Sequence, residues 1–248
     1  MFEERVDQLI AAWTEESVLF DGPTYKAPFP RSGIEGYPAA DTARAAGAFG
    51  EVDDDGRVAR ICVVPKPYQK PHPPLFVATT RSIESVEYCA RRGYSPTYFS
   101  PTKSVEESIR HYRDVAREHG FDFGLGERQN LVRFPHIAAT NADFRDRLRK
   151  YDVDIYRNFY GPFFPQLPQG DDDTLVDGML KSELFVGGSL QEAKDVWRHI
   201  YDRAPCEYIT LIWHWAQVPT DVLLDELDLF MREVLPVIEL PEYRAAAE

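Results

Sequence analysis

The chain has 248 residues, 44% hydrophobic and 13% aromatic, which suits one globular domain with a substantial core, or two small ones. A formal net charge of -13 argues against nucleic acid and anionic membranes as partners. Cys62, Cys89 and Cys206 are too few and too scattered for a disulfide framework, so reduced thiols and a cytoplasmic location are expected.

No apolar run approaches bilayer length. The opening residues, MFEERVDQLI, are too acidic and too interrupted for a signal peptide. Phe2 to Trp13 instead predicts an amphipathic helix, with Phe2, Val6, Leu9, Ile10 and Trp13 on one stripe. SVLFDGPTYKAP then reads as a β-hairpin turning at Asp21-Gly22-Pro23. Residues 29–57 lack a clear period and read as an extended loop, with a short helix at Thr42 to Ala48. Asp53-Asp54-Asp55-Gly56 is an acidic turn, because the alternate carboxylates and downstream Glu of a calcium loop are missing. Val58 to Val64 is a strand candidate.

The Pro-studded VPKPYQKPHPP must be extended, since proline lacks an N–H and fixes φ. Leu75 to Ala78 is a short apolar run of the kind buried on both faces of a sheet. Ser82 opens a helix with Ile83, Val86 and Ala90 at core spacing, and Gly93 closes it. A buried strand feeding a hydroxyl-rich helix start is a natural anion site, because free N–H groups and the helix dipole favour a phosphate.

Thr97 to Ser100 is the next expected strand. Ser104 with Glu107 reads as a capping box for a helix bearing Val105, Ile109, Tyr112 and Ala116, ended by Gly120. Asn130 to Thr140 is a longer strand whose Pro135 implies an edge or a bulge. Asn141 should cap a helix burying Leu148, Ile155 and Phe159. Residues 161–178 read as a mobile surface excursion with Asp171 to Asp173 at a solvated tip. Ser189 and Glu192 form a second capping box, ahead of a helix burying Leu190, Ala193, Trp197 and Ile200. Glu207 to Trp215 is an apolar strand. Thr220 caps a last helix carrying Leu223, Leu227, Phe230 and Val234, stopped by Pro236. After residue 73 strands and helices alternate, which predicts α/β architecture with parallel strands.

PKPYQKPHPPLFVA followed by SIES resembles the luciferase-like flavin-dependent monooxygenases, with Ile83 where the family usually has proline. LFVGGSLQEAKDVW and LDLFMREVLP resemble the family's last two helix regions. The resemblance implies a TIM barrel and a reduced flavin that meets O2 to oxidise a small-molecule substrate. It implies FMN supplied by a flavin reductase, with the deazaflavin F420 as the other cofactor the family uses.

A complete eight-stranded barrel needs roughly 250 residues, yet core strands are evident only near 75, 97, 132 and 210. The expected fold is therefore a partial TIM (β/α) barrel, its C-terminal half, preceded by a helix and a β-hairpin. Residues 1–248 are expected as one domain: helix, hairpin and loop insertion over 1–72, strand–helix units over 73–248. The first half of the barrel is expected to lie before Met1. Open strand edges predict a homo-oligomer or an aggregation-prone chain. A non-catalytic half-barrel partner is the rival reading.

Thr80, Ser82 and Ser85 are the candidate phosphate ligands, on the anion-site argument and because the family holds its flavin phosphate at this turn. His136 and His214 lie on predicted strands, and Thr210, Ile212 and His214 share one strand face. His214 sits near the C-terminal strand end, where barrels place their chemistry, so proton handling is one role and structural hydrogen bonding the other. His72 matches the family motif and reads as structural. No zinc-site spacing, Walker loop, G-x-G-x-x-G or G-x-S-x-G occurs.

Overall fold

The computed structural model describes residues 2–79, 82–163, 169–214 and 217–238. The chain divides into two compact units, residues 1–74 and residues 75–248.

The first unit opens with helix α1, Phe2–Thr14. Lys66 Nζ donates to the carbonyls of Ala12 at 2.9 Å and Glu15 at 2.5 Å, placing a cation at the negative end of α1. Of the predicted stripe, Phe2 and Leu9 remain exposed, and Ala12 is the buried residue of the helix. The hairpin is present as β1, Phe20–Asp21, and β2, Lys26–Ala27, with Gly22 N–H donating to Tyr25 O at 3.1 Å. Helix α2 spans Ala40–Ala46, two residues earlier than expected. Asp53 closes the acidic turn by accepting the Arg57 N–H on its own side chain at 2.8 Å. Residues 58–64 do not form the expected strand. Among the described residues they make isolated antiparallel bridges, Ile61 with Val18 and Val58 with Ile34 and Val52.

The second unit is built on parallel strands: β3, Phe76–Thr79; β4, Ser95–Tyr98; β5, Asn130–Ala138; β6, Phe185–Ser189; and β7, Tyr208–Leu211. β3 pairs with β4, and β4 and β7 flank the first half of β5. β6 pairs with the second half of β5, from Phe134↔Phe185 to Ala138↔Ser189. Pro135 lies just beyond the last β5–β7 pair, Arg133↔Leu211, so its missing N–H interrupts no bond to β7. Helix α3, Ile83–Arg92, and helix α4, Thr102–Glu118, make the crossovers. This is a partial (β/α) barrel.

Local chemistry sets the helix ends. Ser82 accepts the Ser85 N–H, and Gly93 at φ 66 takes the left-handed conformation that ends α3. Ser104 and Glu107 do not form the expected capping box. α4 begins earlier, at Thr102, whose N–H donates to the Glu183 carboxylate at 2.7 Å, so Ser104 lies inside the helix. β3 is not buried on both faces: Val77 and Thr79 are covered, while Phe76 and Ala78 are exposed.

Helix α5, Asn141–Arg147, is capped by Thr140 rather than Asn141. It runs into two π-helical turns, Leu148–Asp152 and Tyr156–Tyr160. Each π-turn shifts the buried face, which explains why Leu148 is buried but Phe159 is exposed, against the α-helical expectation. The 161–178 segment is not wholly a loop. Residues 164–168 lie outside the described residues, but helix α6, Asp172–Lys181, buries Leu175, Val176 and Met179. Asp171 is its N-cap, and Asp172 and Asp173 pair with Arg157 and Arg149. Helix α7, Leu190–Arg203, has the predicted Ser189–Glu192 capping box. Helix α8, Thr220–Leu229, has Pro219 at its N-cap with no side-chain cap bond, so Thr220 is its first helical residue and not the expected cap.

Candidate active site

β5 and β7 pair with Val132 opposite Thr210, and Asn130 Nδ2 donates to Thr210 Oγ1 at 2.9 Å on one shared face. Alternation carries Phe134 and His136 onto that face. Continuing the register past Thr210 brings Ile212 and His214 alongside them, and the rings of Phe134 and His214 lie 5.2 Å apart. The two candidate histidines thus meet at the C-terminal ends of neighbouring strands.

One carboxylate joins them. Asp152, on the first π-turn, has Oδ2 2.8 Å from His136 Nε2 and Oδ1 2.5 Å from His214 Nδ1. The other ring nitrogen of His136, Nδ1, lies 2.9 Å from Glu226 Oε2 of α8. Glu226 also accepts Trp213 Nε1–H at 2.9 Å and is paired with Arg147. Asp152 and Glu226 are each 1% exposed, so these carboxylates need the partners they have. Two anions, Asp152 and Glu226, face two cations, Arg147 and a protonated His136.

Burial alone would pull His136 down. Its hydrogen bonds to Asp152 and Glu226, with their charges, outweigh burial and lift it to about 9. Burial would raise Asp152, but its bonds to His136 and His214 hold it below the usual carboxylate range. His136 is therefore a fixed imidazolium with both N–H groups committed. His214 differs. Its Nδ1 must donate to Asp152, and its Nε2 is buried without a hydrogen-bond partner among the described residues. In the neutral ring that nitrogen carries the lone pair.

Beside this cluster lies a cavity of about 780 Å³, inside the roughly 300–1,000 Å³ range of small-molecule sites. One wall is aromatic: Phe134, Tyr156, Tyr160 and Phe185. The His214 ring stands 6.0 Å from Tyr160 and 6.3 Å from Phe185 as well as close to Phe134. The hydroxyl of Tyr156 is a second buried atom without a described partner. The lining is also rich in hydroxyls, with Thr79 and Ser82 at the β3–α3 turn and Ser100, Ser104 and Ser108 along the start of α4.

Of the predicted phosphate ligands, Ser82 lines the cavity and Ser85 lies one turn further along α3, outside the lining. Thr80 falls outside the described residues. The Ser82 hydroxyl donates to Glu84 at 2.7 Å while accepting from Ser85 N–H at 3.3 Å. No Lys or Arg is among the described lining residues. Among the described residues, a phosphate here would rest on hydroxyls and α3 N–H groups. Together with the aromatic wall, that donor set fits a phosphorylated flat ring system such as FMN.

Sequence reasoning missed Asp152, Glu226, Arg147 and Tyr156. Glu226 carried a readable signal: it falls on the helical stripe of Leu223, Leu227 and Phe230, where an acid is costly unless paired. Asp152 follows Leu148 by four residues and carried the same signal. No described group of His, Cys, Asp and Glu has the geometry to hold a metal ion.

No family model matches the sequence, and no curated protein matches it. Solved structures do. RslO1, a monooxygenase from Streptomyces bottropensis, superposes with a TM-score of 0.65 at 20% identity, covering 95% of this chain and 60% of its own. The oxygenating constituent of 3,6-diketocamphane monooxygenase, from the CAM plasmid of Pseudomonas putida and in complex with FMN, gives 0.68 at 16% identity, covering 96% and 63%. It is a type II Baeyer–Villiger monooxygenase. The fold is that of the luciferase-like flavin monooxygenases. EDTA monooxygenase from Chelativorans sp. BNC1 shares this luciferase-like fold more distantly, at 0.51 and 15% identity over 95% of this chain. The chain spans 60% and 63% of the length of the first two structures. No described helix is long and apolar enough to cross a membrane.

Proposed function

We propose that this chain binds FMN in the 780 Å³ cavity and acts as a luciferase-like, flavin-dependent monooxygenase on a small organic substrate. The observation that carries the reading is that the cavity's lining combines hydroxyls at the starts of α3 and α4 with the aromatic rings of Phe134, Tyr156, Tyr160 and Phe185. Reduced FMN, delivered by a separate reductase, supplies the O2 chemistry when bound. The deazaflavin F420 is the alternative cofactor in this reading. The phosphate lies at the β3–α3 turn, with Ser82 and the first N–H groups of α3 as its ligands and Thr80 and Ser85 flanking them. Phe134, Tyr156, Tyr160 and Phe185 exclude water from the reacting end. Asp152 fixes the His214 ring, and His214 Nε2 handles the proton. His136, its two nitrogens held by Asp152 and Glu226, positions Asp152.

Titrating FMN with the protein tests the reading. Flavin emission should change, and Ser82→Ala should weaken FMN more than riboflavin. Unchanged emission at high micromolar protein would sink the proposal. Equal losses for the two flavins would remove the phosphate from this turn.

A further inference from the structure

Helix α4 carries two stripes with different tasks. Val105, Ile109, Tyr112 and Ala116 are buried in the core. Ser104, Glu107, Ser108 and His111, at the i, i+3, i+4 and i+7 spacing of one helix face, line the cavity instead. That second stripe holds no apolar side chain. Tyrosines apart, Glu107 and His111 are the ionisable groups among the described lining residues.

The two differ in what they already hold. His111 Nε2 lies 3.0 Å from Glu87 Oε1, so any positive charge on its ring faces a carboxylate already in place. Glu106, the neighbour of Glu107, pairs with Arg110 at 3.3 Å and Arg203 at 3.0 Å. Glu107 makes neither an ion pair nor a hydrogen bond among the described residues, and it is exposed, so a ligand can reach it. The described lining thus offers an uncompensated negative charge and no lysine or arginine. Its aromatic residues add to the same preference, because ring faces are negative and attract a cation within about 6 Å.

We infer that the cavity binds an organic ammonium: an amine, protonated at neutral pH, whose N–H groups donate to the Glu107 carboxylate and whose hydrocarbon skeleton lies against the aromatic lining. Taking that amine as the substrate rests on the monooxygenase reading above; the binding does not. In that reading FMN brings its phosphate to Ser82, at the start of a different helix, so the two ligands use different polar groups. Charge-assisted hydrogen bonds are about twice as strong as neutral ones, which makes the ammonium–carboxylate pair the element of selection. An anionic compound meets like charge at Glu107 and is disfavoured.

The probes are 2-naphthylmethylamine, its neutral counterpart 2-naphthylmethanol, and the anion 2-naphthoate. Titrating each into the wild-type protein and following naphthalene fluorescence gives three affinities. The amine should bind roughly tenfold more tightly than the alcohol, and the naphthoate most weakly. Glu107→Gln removes the charge and keeps the length, and with no partner to lose it should fold as the wild type does. It should bring the amine-to-alcohol ratio towards one and leave the alcohol's affinity unchanged. Glu118→Gln makes the same charge change at the exposed end of α4, outside the lining, and should leave the ratio as it is. It separates Glu107 from the chain's general charge of -13. Equal wild-type affinities for amine and alcohol, naphthoate binding as tightly as the amine, or binding of no probe would overturn the inference. So would a ratio that survives Glu107→Gln or falls equally in Glu118→Gln. An FMN titration on the same wild-type preparation separates the two proposals. FMN binding without amine preference sinks this one alone, and amine preference without FMN binding sinks only the flavin reading.

Discussion

Asp152 Oδ1 lies 2.5 Å from His214 Nδ1, on a carboxylate that is 1% exposed. That side chain has no water to fall back on, and neither has His136 on its other oxygen. Deleting it leaves a buried imidazolium and an unpaired imidazole. Asp152→Ala should therefore cost about 3–5 kcal/mol, the range for breaking a buried ion pair. Asp152→Asn keeps one acceptor and should cost less. Urea denaturation checks both, and a loss under about 0.5 kcal/mol for the alanine variant, the level of an ordinary surface change, would show that the cluster is solvated in solution.

His136 sets a pH dependence. Its folded value of about 9 lies above the ordinary 6.5, so its contribution is complete below about pH 6.5 and is lost as pH rises through 9. The full shift corresponds to a stabilisation on the order of 3 kcal/mol. Asp152 works in the opposite sense: its lowered value stabilises the fold above the ordinary carboxylate range and is lost in acid. Thermal melts should show a fall in Tm between pH 6.5 and 9.5 that His136→Gln flattens. An unchanged slope in that variant would remove His136 as its source.

The strands near 75, 97, 132 and 210 and the cap residues Ser82, Gly93 and Ser189 were legible because each is specified by neighbours in the chain, whereas strand β6 and helix α6 were not read from the sequence. His136 was also legible as a strand residue, whereas β7 ends at Leu211 and His214 lies three residues beyond it, off the strand expected to run to Trp215. Their connection was not, because it runs through Asp152, whose direction depends on a π-turn that the 3.6-residue period does not announce. The start of α4 was misplaced for a similar reason: Glu183, from a distant segment, supplies what Ser104 was expected to supply. Val58 to Val64 has the apolar composition of a strand, but pairing is decided by partners elsewhere, and β-propensity does not carry that information.

Arg133 is a buried cation whose stem is fully enclosed in the core. Among the described residues it makes no ion pair. Its bonds go to Val132 O at 2.7 Å and Thr102 Oγ1 at 3.2 Å, and Nε has no partner. Burial pulls its guanidinium down to about 10. A charge held this way destabilises the fold at neutral pH. Arg133→Met, close in length and apolar, should be neutral or raise stability by up to about 3 kcal/mol. A loss of more than about 1 kcal/mol in chemical denaturation would show that the guanidinium bonds outweigh its desolvation.

Gly187 lies opposite His136 in the β5–β6 pair, at φ 150, a backbone conformation that favours glycine. A Cβ placed there would stand 1.8 Å from His136 O and 3.1 Å from a ring carbon of Phe144. The carbonyl belongs to a paired strand and cannot swing away as a side-chain tip would, so β6 must move off β5. Gly187→Ala should cost about 2–4 kcal/mol, combining backbone strain with overpacking. Urea denaturation checks the loss. Wild-type stability in the alanine variant would mean that β5 and β6 are not paired in this register.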